Sequence, residues 1–233
     1  MRLRFVGAGR AAKSLGGALQ ATGAMLQGYL GRNDDLRNAA QDTDVLIVAT
    51  PDDVISEVAN SVEPNATALV VHLSGVLGLD ALKGHPRCAA LHPLVSLPSP
   101  EIGAQRLLGA WFAIAGDPQV NVLVEALGGR AFVVAESARP TYHAAAVIAS
   151  NHLVALLGQA ERVAQQADVP FAVLLDLASE SLKNVAELGP KAALTGPAAR
   201  GDVATITRHL QALPSTERAT YTALSQEAKR LAN

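Results

Sequence analysis

The feature that most constrains this chain is a short apolar strand that runs directly into small residues and then into a helix. Leu3 to Val6 is the strand, Gly7-Ala8-Gly9-Arg10-Ala11-Ala12 the turn, and Lys13 to Ala21 a helix-compatible run. This order is the fingerprint of a dinucleotide-binding unit, with alanine in the third glycine position. Gly7 allows the tight turn, Gly9 lets a pyrophosphate approach the backbone, and Ala12 keeps the helix close to the sheet. Arg10 and Ala11 open the helix, whose free N–H groups and dipole favour a phosphate.

The first half continues the pattern. Strands are expected at Met25–Leu30, Val45–Ala49, Ala68–Leu73, Cys88–Leu91, Trp111–Ala115 and Ala131–Val134. Helices are expected at 53–62, 79–83 and 119–127. Short apolar strands alternating with helices predict an α/β Rossmann domain with a mostly parallel sheet covered on both faces. After Ala135 the texture changes to helical periodicity, over 141–163, 171–187, 202–213 and 215–232. The expected division is a dinucleotide-binding domain at 1–136 and an all-α domain for substrate and dimerisation at 137–233.

Composition excludes several classes. The 233 residues carry a net charge of −2, which gives no electrostatic case for nucleic acid or an anionic membrane. No apolar run approaches the ~18 residues of a membrane span. Neither a signal peptide nor a metal site is expected. Cys88 is the one cysteine, so no intrachain disulfide forms and a reducing, cytoplasmic setting is expected. Its apolar surroundings suit a buried small hydrophobe.

Further signals lie where strands end, since open α/β sheets bind ligands at the carboxyl ends of their strands. The second strand ends in Leu30-Gly31-Arg32-Asn33. Arg32 is a cation where an acid would exclude a 2′-phosphate, which favours NADP over NAD. Asp34 holds the NAD role if the strand ends later. Thr50 and Pro51 follow the third strand and are expected at the cofactor, while Asp52 and Asp53 cap the next helix. His72 and Ser74 share one face at the end of the fourth strand. Ser74 is expected as a neutral donor near the nicotinamide; His72 is either a participant or an ordinary turn residue. His92, in Leu91-His92-Pro93, reads as a structural or site-wall residue.

On the helix Tyr142 to His152, a 100° step puts His143 and Ser150 within ~20° of one line, with Asn151 ~80° away. This polar stripe either finds partners among its neighbours or faces a cleft between the domains and meets a substrate. His152 points elsewhere. Arg200, in the turn Gly196-Pro197-Ala198-Ala199-Arg200-Gly201, either binds a carboxylate or phosphate or pairs with Asp202, the natural N-cap of the next helix.

The GAGRAA turn, GRN, HLSG, LHP, the YHAAAVIASN helix and above all LTGPAARGD together resemble the Rossmann-like proteins that carry a C-terminal domain of unknown function 2520. That family is similar in architecture to pyrroline-5-carboxylate reductase, 6-phosphogluconate and β-hydroxyacid dehydrogenases, and ketopantoate reductase. The resemblance implies an NADP-binding first domain and an all-α second domain that dimerises, giving a homodimer. The β-hydroxyacid enzymes place a lysine one turn before an asparagine on the first helix of domain two. If Asn151 matches that asparagine, the lysine position holds Val147. The expected activity is therefore an NADP-dependent reduction of a small carbonyl or imine. His143 is the proton donor in this reading, Asn151 and Ser74 orient the substrate, and Ser150 and Arg200 contact it. A 2-oxo acid such as ketopantoate comes first and a pyrroline-type imine second. The alternative is an NADP-binding sensor or scaffold without turnover.

Overall fold

The aliphatic runs of the first half become seven strands of one sheet, in the order β2-β1-β3-β4-β5-β6-β7. These are β1 (Arg2–Val6), β2 (Met25–Leu30), β3 (Val45–Val48), β4 (Leu69–His72), β5 (Cys88–Pro93), β6 (Trp111–Gly116) and β7 (Arg130–Val133). All neighbours pair in parallel except β5 and β6, which are antiparallel. That pairing carries β5 past Leu91, so His92 lies within a strand rather than at a corner. The structure is a computed structural model and describes residues 1–233.

Both faces of the sheet are covered, which is why the strands read as continuous apolar runs. Leu3, Phe5, Val45, Ile47, Leu69 and Val71 pack on one side against α1 (Arg10–Ala21) and its neighbours. Val6, Leu46, Val48 and Val70 pack on the other with Ile55 and Ala59, which belong to α2 (Ile55–Asn60). Each buried aliphatic side chain contributes about 1.5–3 kcal/mol, and strand alternation divides that gain between the faces.

The segment before α2 forms a single 3-10 turn, Asp52–Val54, with Pro51 as its N-cap. No element is expected at 94–109 from the sequence pattern, yet α3 (Pro100–Leu107) forms there and packs against α1. Its signal was present: Ser99 caps Ile102 N–H, and Pro100 takes the first helical position. Two further helices complete the unit, α4 (Asn121–Ala126) and α5 (Arg139–Val147).

The chain divides into two compact units, Met1–Ser150 and Asn151–Asn233. The texture break near 136–140 marks the end of the last strand, while the packing break comes later. The reason is that α5 belongs with the sheet: Tyr142 packs on Phe132 of β7 and on His92 of β5. A π-helical turn, Ile148–His152, follows α5. The second unit holds α6 (Leu153–Gln165), α7 (Phe171–Leu188), α8 (Pro190–Ala193), α9 (Val203–Ala212) and α10 (Ser215–Ala232). Arg162 grips the Glu217 carboxylate with two nitrogens, at 2.8 and 3.1 Å, and Gln159 donates to the Glu217 carbonyl. No helix is long and apolar enough to cross a membrane.

Candidate active site

The strand order reverses direction at β1, with β2 on one side and β3 on the other. The crevice outside the carboxyl ends of β1 and β3 is where such sheets take ligands. Gly7 sits there with φ +100°, and a Cβ at that position would lie 2.6 Å from the Ala49 carbonyl oxygen. Only glycine allows the two strand ends to come this close. Gly9 has open space where its side chain would be. It is the N-cap of α1 and supplies no side-chain cap, and the first turn holds no acid. The N–H groups at the start of α1, from Arg10 onward, are therefore left for an external anion. Ala12 is fully buried beneath them. Beside Gly7, the buried hydroxyl of Thr50 has no partner. A close-approach glycine, an uncapped helix and an orphaned hydroxyl at one crevice fit a dinucleotide phosphate.

Arg10, Arg32, Asn33 and Pro51 are exposed and Ala11 is partly covered. The Asp34 carboxylate accepts from Gly31 N–H at 2.6 Å, so this acid is engaged by its own turn. Cys88 is half-buried rather than enclosed, and burial pushes its thiol pKa up.

A second cluster forms at the ends of β3, β4 and β5. Ser74 donates its hydroxyl proton to Asp52 at 2.8 Å and accepts from Val76 and Leu77 N–H. Two expectations change here. Asp52 does not cap its helix, since its carboxylate serves Ser74. Ser74 is not a donor waiting for a substrate, because its proton is already committed. His72 is fully buried, and its Nδ1 accepts from Ser74 N–H. Arg139 reaches in from α5 with no exposed surface and donates to the Ser74 carbonyl at 2.7 Å, while its Nε and Nη1 have no partner. Glu136 is the acid whose charge it feels, but that carboxylate accepts from Leu79 N–H. A buried guanidinium without a paired acid is costly.

Gly75 brings the histidines together. A Cβ there would lie 2.3 Å from His143 Nδ1 and 2.9 Å from His92 Nε2. The two rings meet edge-on at 5.4 Å between centroids. His92 Nδ1 lies 2.6 Å from the Tyr142 hydroxyl, and His143 Nδ1 is buried without a partner. Burial, reinforced for His72 by the Arg139 charge and for His92 by His143 and then Arg139, lowers both pKa values to about 4. Both are neutral imidazoles at neutral pH. Burial raises Tyr142 to about 12 against the pull of Arg139, so the phenol is protonated.

The structure thus joins Ser74, His72, His92 and His143, four residues singled out from sequence. Sequence reasoning missed Arg139, Tyr142 and the Asp52–Ser74 bond. The spacing of Arg139 and Tyr142 puts both on one side of a helix, but nothing in the sequence says that the side is buried. Ser150 donates to its own helix at Ala146 O, 2.7 Å away. The π-helical turn over 148–152 breaks the 100° step, so the predicted alignment of His143, Ser150 and Asn151 does not follow. His152 is exposed. Asn151 and Arg200 belong to the second unit and both are exposed. Arg200 forms no side-chain ion pair with Asp202, which caps α9 by accepting from Thr205 N–H at 3.0 Å.

Residues 111–228 match the model of a family described as a domain of unknown function, DUF2520. No curated protein matches the sequence. Among solved structures, the chain is similar to BF3122 from Bacteroides fragilis, proposed to be an NADP oxidoreductase. That similarity has 23% identity, 98% of both chains covered and a TM-score of 0.83. It is also similar to TM1727 from Thermotoga maritima, at 24% identity, 99% and 98% coverage and a TM-score of 0.75. Pyrroline carboxylate reductase from Plasmodium falciparum, solved with NADP bound, shares 14% identity over 100% and 98% of the chains, at a TM-score of 0.66. At these identities the likeness is one of fold.

Proposed function

The chain belongs to the family of domain of unknown function 2520, and from that premise we propose that it is an NADP-dependent oxidoreductase reducing a small carbonyl or imine. The observation that carries this reading is a single sheet edge. It holds both a glycine turn shaped for a dinucleotide and, two strands on, His92, which converges with His143 of α5 over Gly75. The nicotinamide would supply the hydride. Gly7, Gly9, Arg10, Ala11, Ala12, Thr50 and Pro51 would hold the cofactor, with Asn33 beside Arg32 at its 2′-phosphate. His143 would give the proton that the reduced oxygen or nitrogen needs, its enclosed Nδ1 leaving Nε2 to meet the substrate. Asn151, Ser150 and Arg200 are proposed to orient the substrate, Arg200 through a carboxylate.

The fold shared with a pyrroline carboxylate reductase supports trying cyclic imines beside 2-oxo acids such as ketopantoate. The test is NADPH absorbance with that panel. At least one compound should oxidise NADPH; NADPH binding with no turnover on any of them favours the sensor or scaffold reading, which Val147 at the expected lysine position supports.

Arg32 carries the cofactor preference. Arg32→Asp should weaken NADPH binding by about 1.5–3 kcal/mol, the worth of a charge-assisted contact. Titration of both nucleotides checks this, and equal affinity of the unmodified protein for NADPH and NADH would overturn it.

The second unit is proposed to pair with a second copy of itself. Helix α7 runs 18 residues without burying one of them, and Val173, Leu177 and Leu188, which lie within about 60° on one face, are each more than half exposed. An apolar helix of this length gains its stability by covering that face, and a symmetry mate offers the matching face. Light scattering at micromolar concentration should give a homodimer. Leu177→Glu should dissociate it, and a monomeric unmodified protein would contradict the proposal.

A further inference from the structure

A neutral imidazole can give up its one N–H proton only if its other nitrogen gains one; otherwise an imidazolate is left. His143 Nδ1 is buried and unpartnered, and it shares the space over Gly75 with His92 Nε2. On the far side of His92, Nδ1 meets the Tyr142 hydroxyl at 2.6 Å. A protonated phenol can donate to Nδ1 here, and in that tautomer the His92 proton sits on Nε2, facing the space that His143 Nδ1 occupies. Tyr142 lies on the same helix as Arg139, one turn on, and each feels the other's charge. The guanidinium has two unpartnered nitrogens and no paired acid. The other charged or titratable groups near this chain are His72, Asp52 and Glu136.

We propose that Tyr142 and His92 form a proton path that resupplies His143 as the donor, with buried Arg139 as the fixed counter-charge. The inference rests on the oxidoreductase reading. In the reductive step the His143 Nε2–H bond breaks, and its proton joins the substrate oxygen or nitrogen whose carbon takes the hydride. The His92 Nε2 proton moves to His143 Nδ1, and the Tyr142 proton moves to His92 Nδ1. Each histidine gives up one proton and gains another, so the negative charge rests on the Tyr142 oxygen, near Arg139. A solvent proton entering at His143 Nε2 then drives the chain backward and restores the phenol. One substrate is reduced and one solvent proton consumed. The path gives Arg139 a purpose that packing alone does not, since a buried cation without an acid is suited to an anion that exists only in passing.

Two measurements test it. Nitrogen-15 NMR of the histidines at neutral pH should find His92 protonated at Nε2, with Nδ1 accepting a hydrogen bond. Protonation at Nδ1 overturns the path, whatever the protein reduces. Single-turnover NADPH oxidation with a five-membered cyclic imine then compares the unmodified protein with Tyr142→Phe, which keeps the ring on Phe132 and His92. The variant should lose about tenfold or more in kcat, part of the usual worth of general acid catalysis. KM and NADPH affinity should stay constant, and imidazole buffer should restore the rate. A merely structural tyrosine would not respond to buffer. Full kcat in Tyr142→Phe overturns the path and leaves the oxidoreductase reading standing. No NADPH oxidation by the unmodified protein, with this imine or across the panel, overturns the reading itself and the path with it.

Discussion

Replacing His143 with alanine is expected to lower kcat by roughly 10²–10⁴-fold, the usual worth of a positioned general acid, while NADPH affinity stays near that of the unmodified protein. The separation follows from where the ring lies. His143 projects from α5 onto Gly75 and the edge of His92, whereas the dinucleotide turn is formed by Gly7, Gly9 and Thr50 at the ends of β1 and β3. An interaction made in the transition state and not with the cofactor lowers kcat and kcat/KM together. Steady-state kinetics on the best substrate of the panel, with NADPH titration by fluorescence, would read both quantities. If the ring only fills the space over Gly75, the variant should instead melt earlier and turn over normally once folded. That result would remove His143 from the chemistry.

Gly7→Ala should be among the most damaging single methyl groups in the first unit. The new Cβ would press within 2.6 Å of the Ala49 oxygen and 2.9 Å of its carbonyl carbon, in a backbone conformation of φ +100° that alanine resists. Both obstacles are backbone in the middle of a parallel sheet, so neither can yield without parting β1 from β3. Overpacking and a left-handed alanine together cost on the order of 3 kcal/mol, or roughly 6–12 °C in melting temperature for a protein of this size. Gly9→Ala is the control. Its added methyl meets nothing and its φ of −72° suits any residue. The fold should therefore keep its melting temperature while NADPH affinity falls, because the methyl occupies the space through which a pyrophosphate reaches the helix N-terminus. Loss of stability in both variants would show that Gly9 is needed for folding rather than for approach. Unchanged NADPH affinity in Gly9→Ala would displace the phosphate site from this turn.

How far the sequence reached depends on the range of the interaction that decides each feature. The glycine turn, the aliphatic strands and Asp202 as a helix cap follow from local rules: positive φ, period-two alternation and a side chain bonding three residues ahead. All are present in the structure. Helix α3 was equally local, and its Ser99-Pro100 start was in plain view. The polar stripe on the helix after Pro140 went the other way. A 100° step assumes unbroken α-helix, and the π-helical turn at 148–152 is not written in residue spacing.

By itself, then, the sequence determined the α/β unit, its glycine crevice, the change to helices after the last strand and the histidines worth watching, because each depends on neighbours within a turn or a strand. Tertiary structure alone decided what those histidines face. Parallel pairing of β3 and β4 brings Asp52 to Ser74 across 22 positions, and packing of α5 on the sheet brings Tyr142 to His92 across 50. The return of α5 to the sheet buries Arg139 against Ser74, 65 positions away. Protonation states follow from that burial and from the Arg139 charge within it. Desolvation is set by everything that packs around a group, and no local stretch of sequence encodes it.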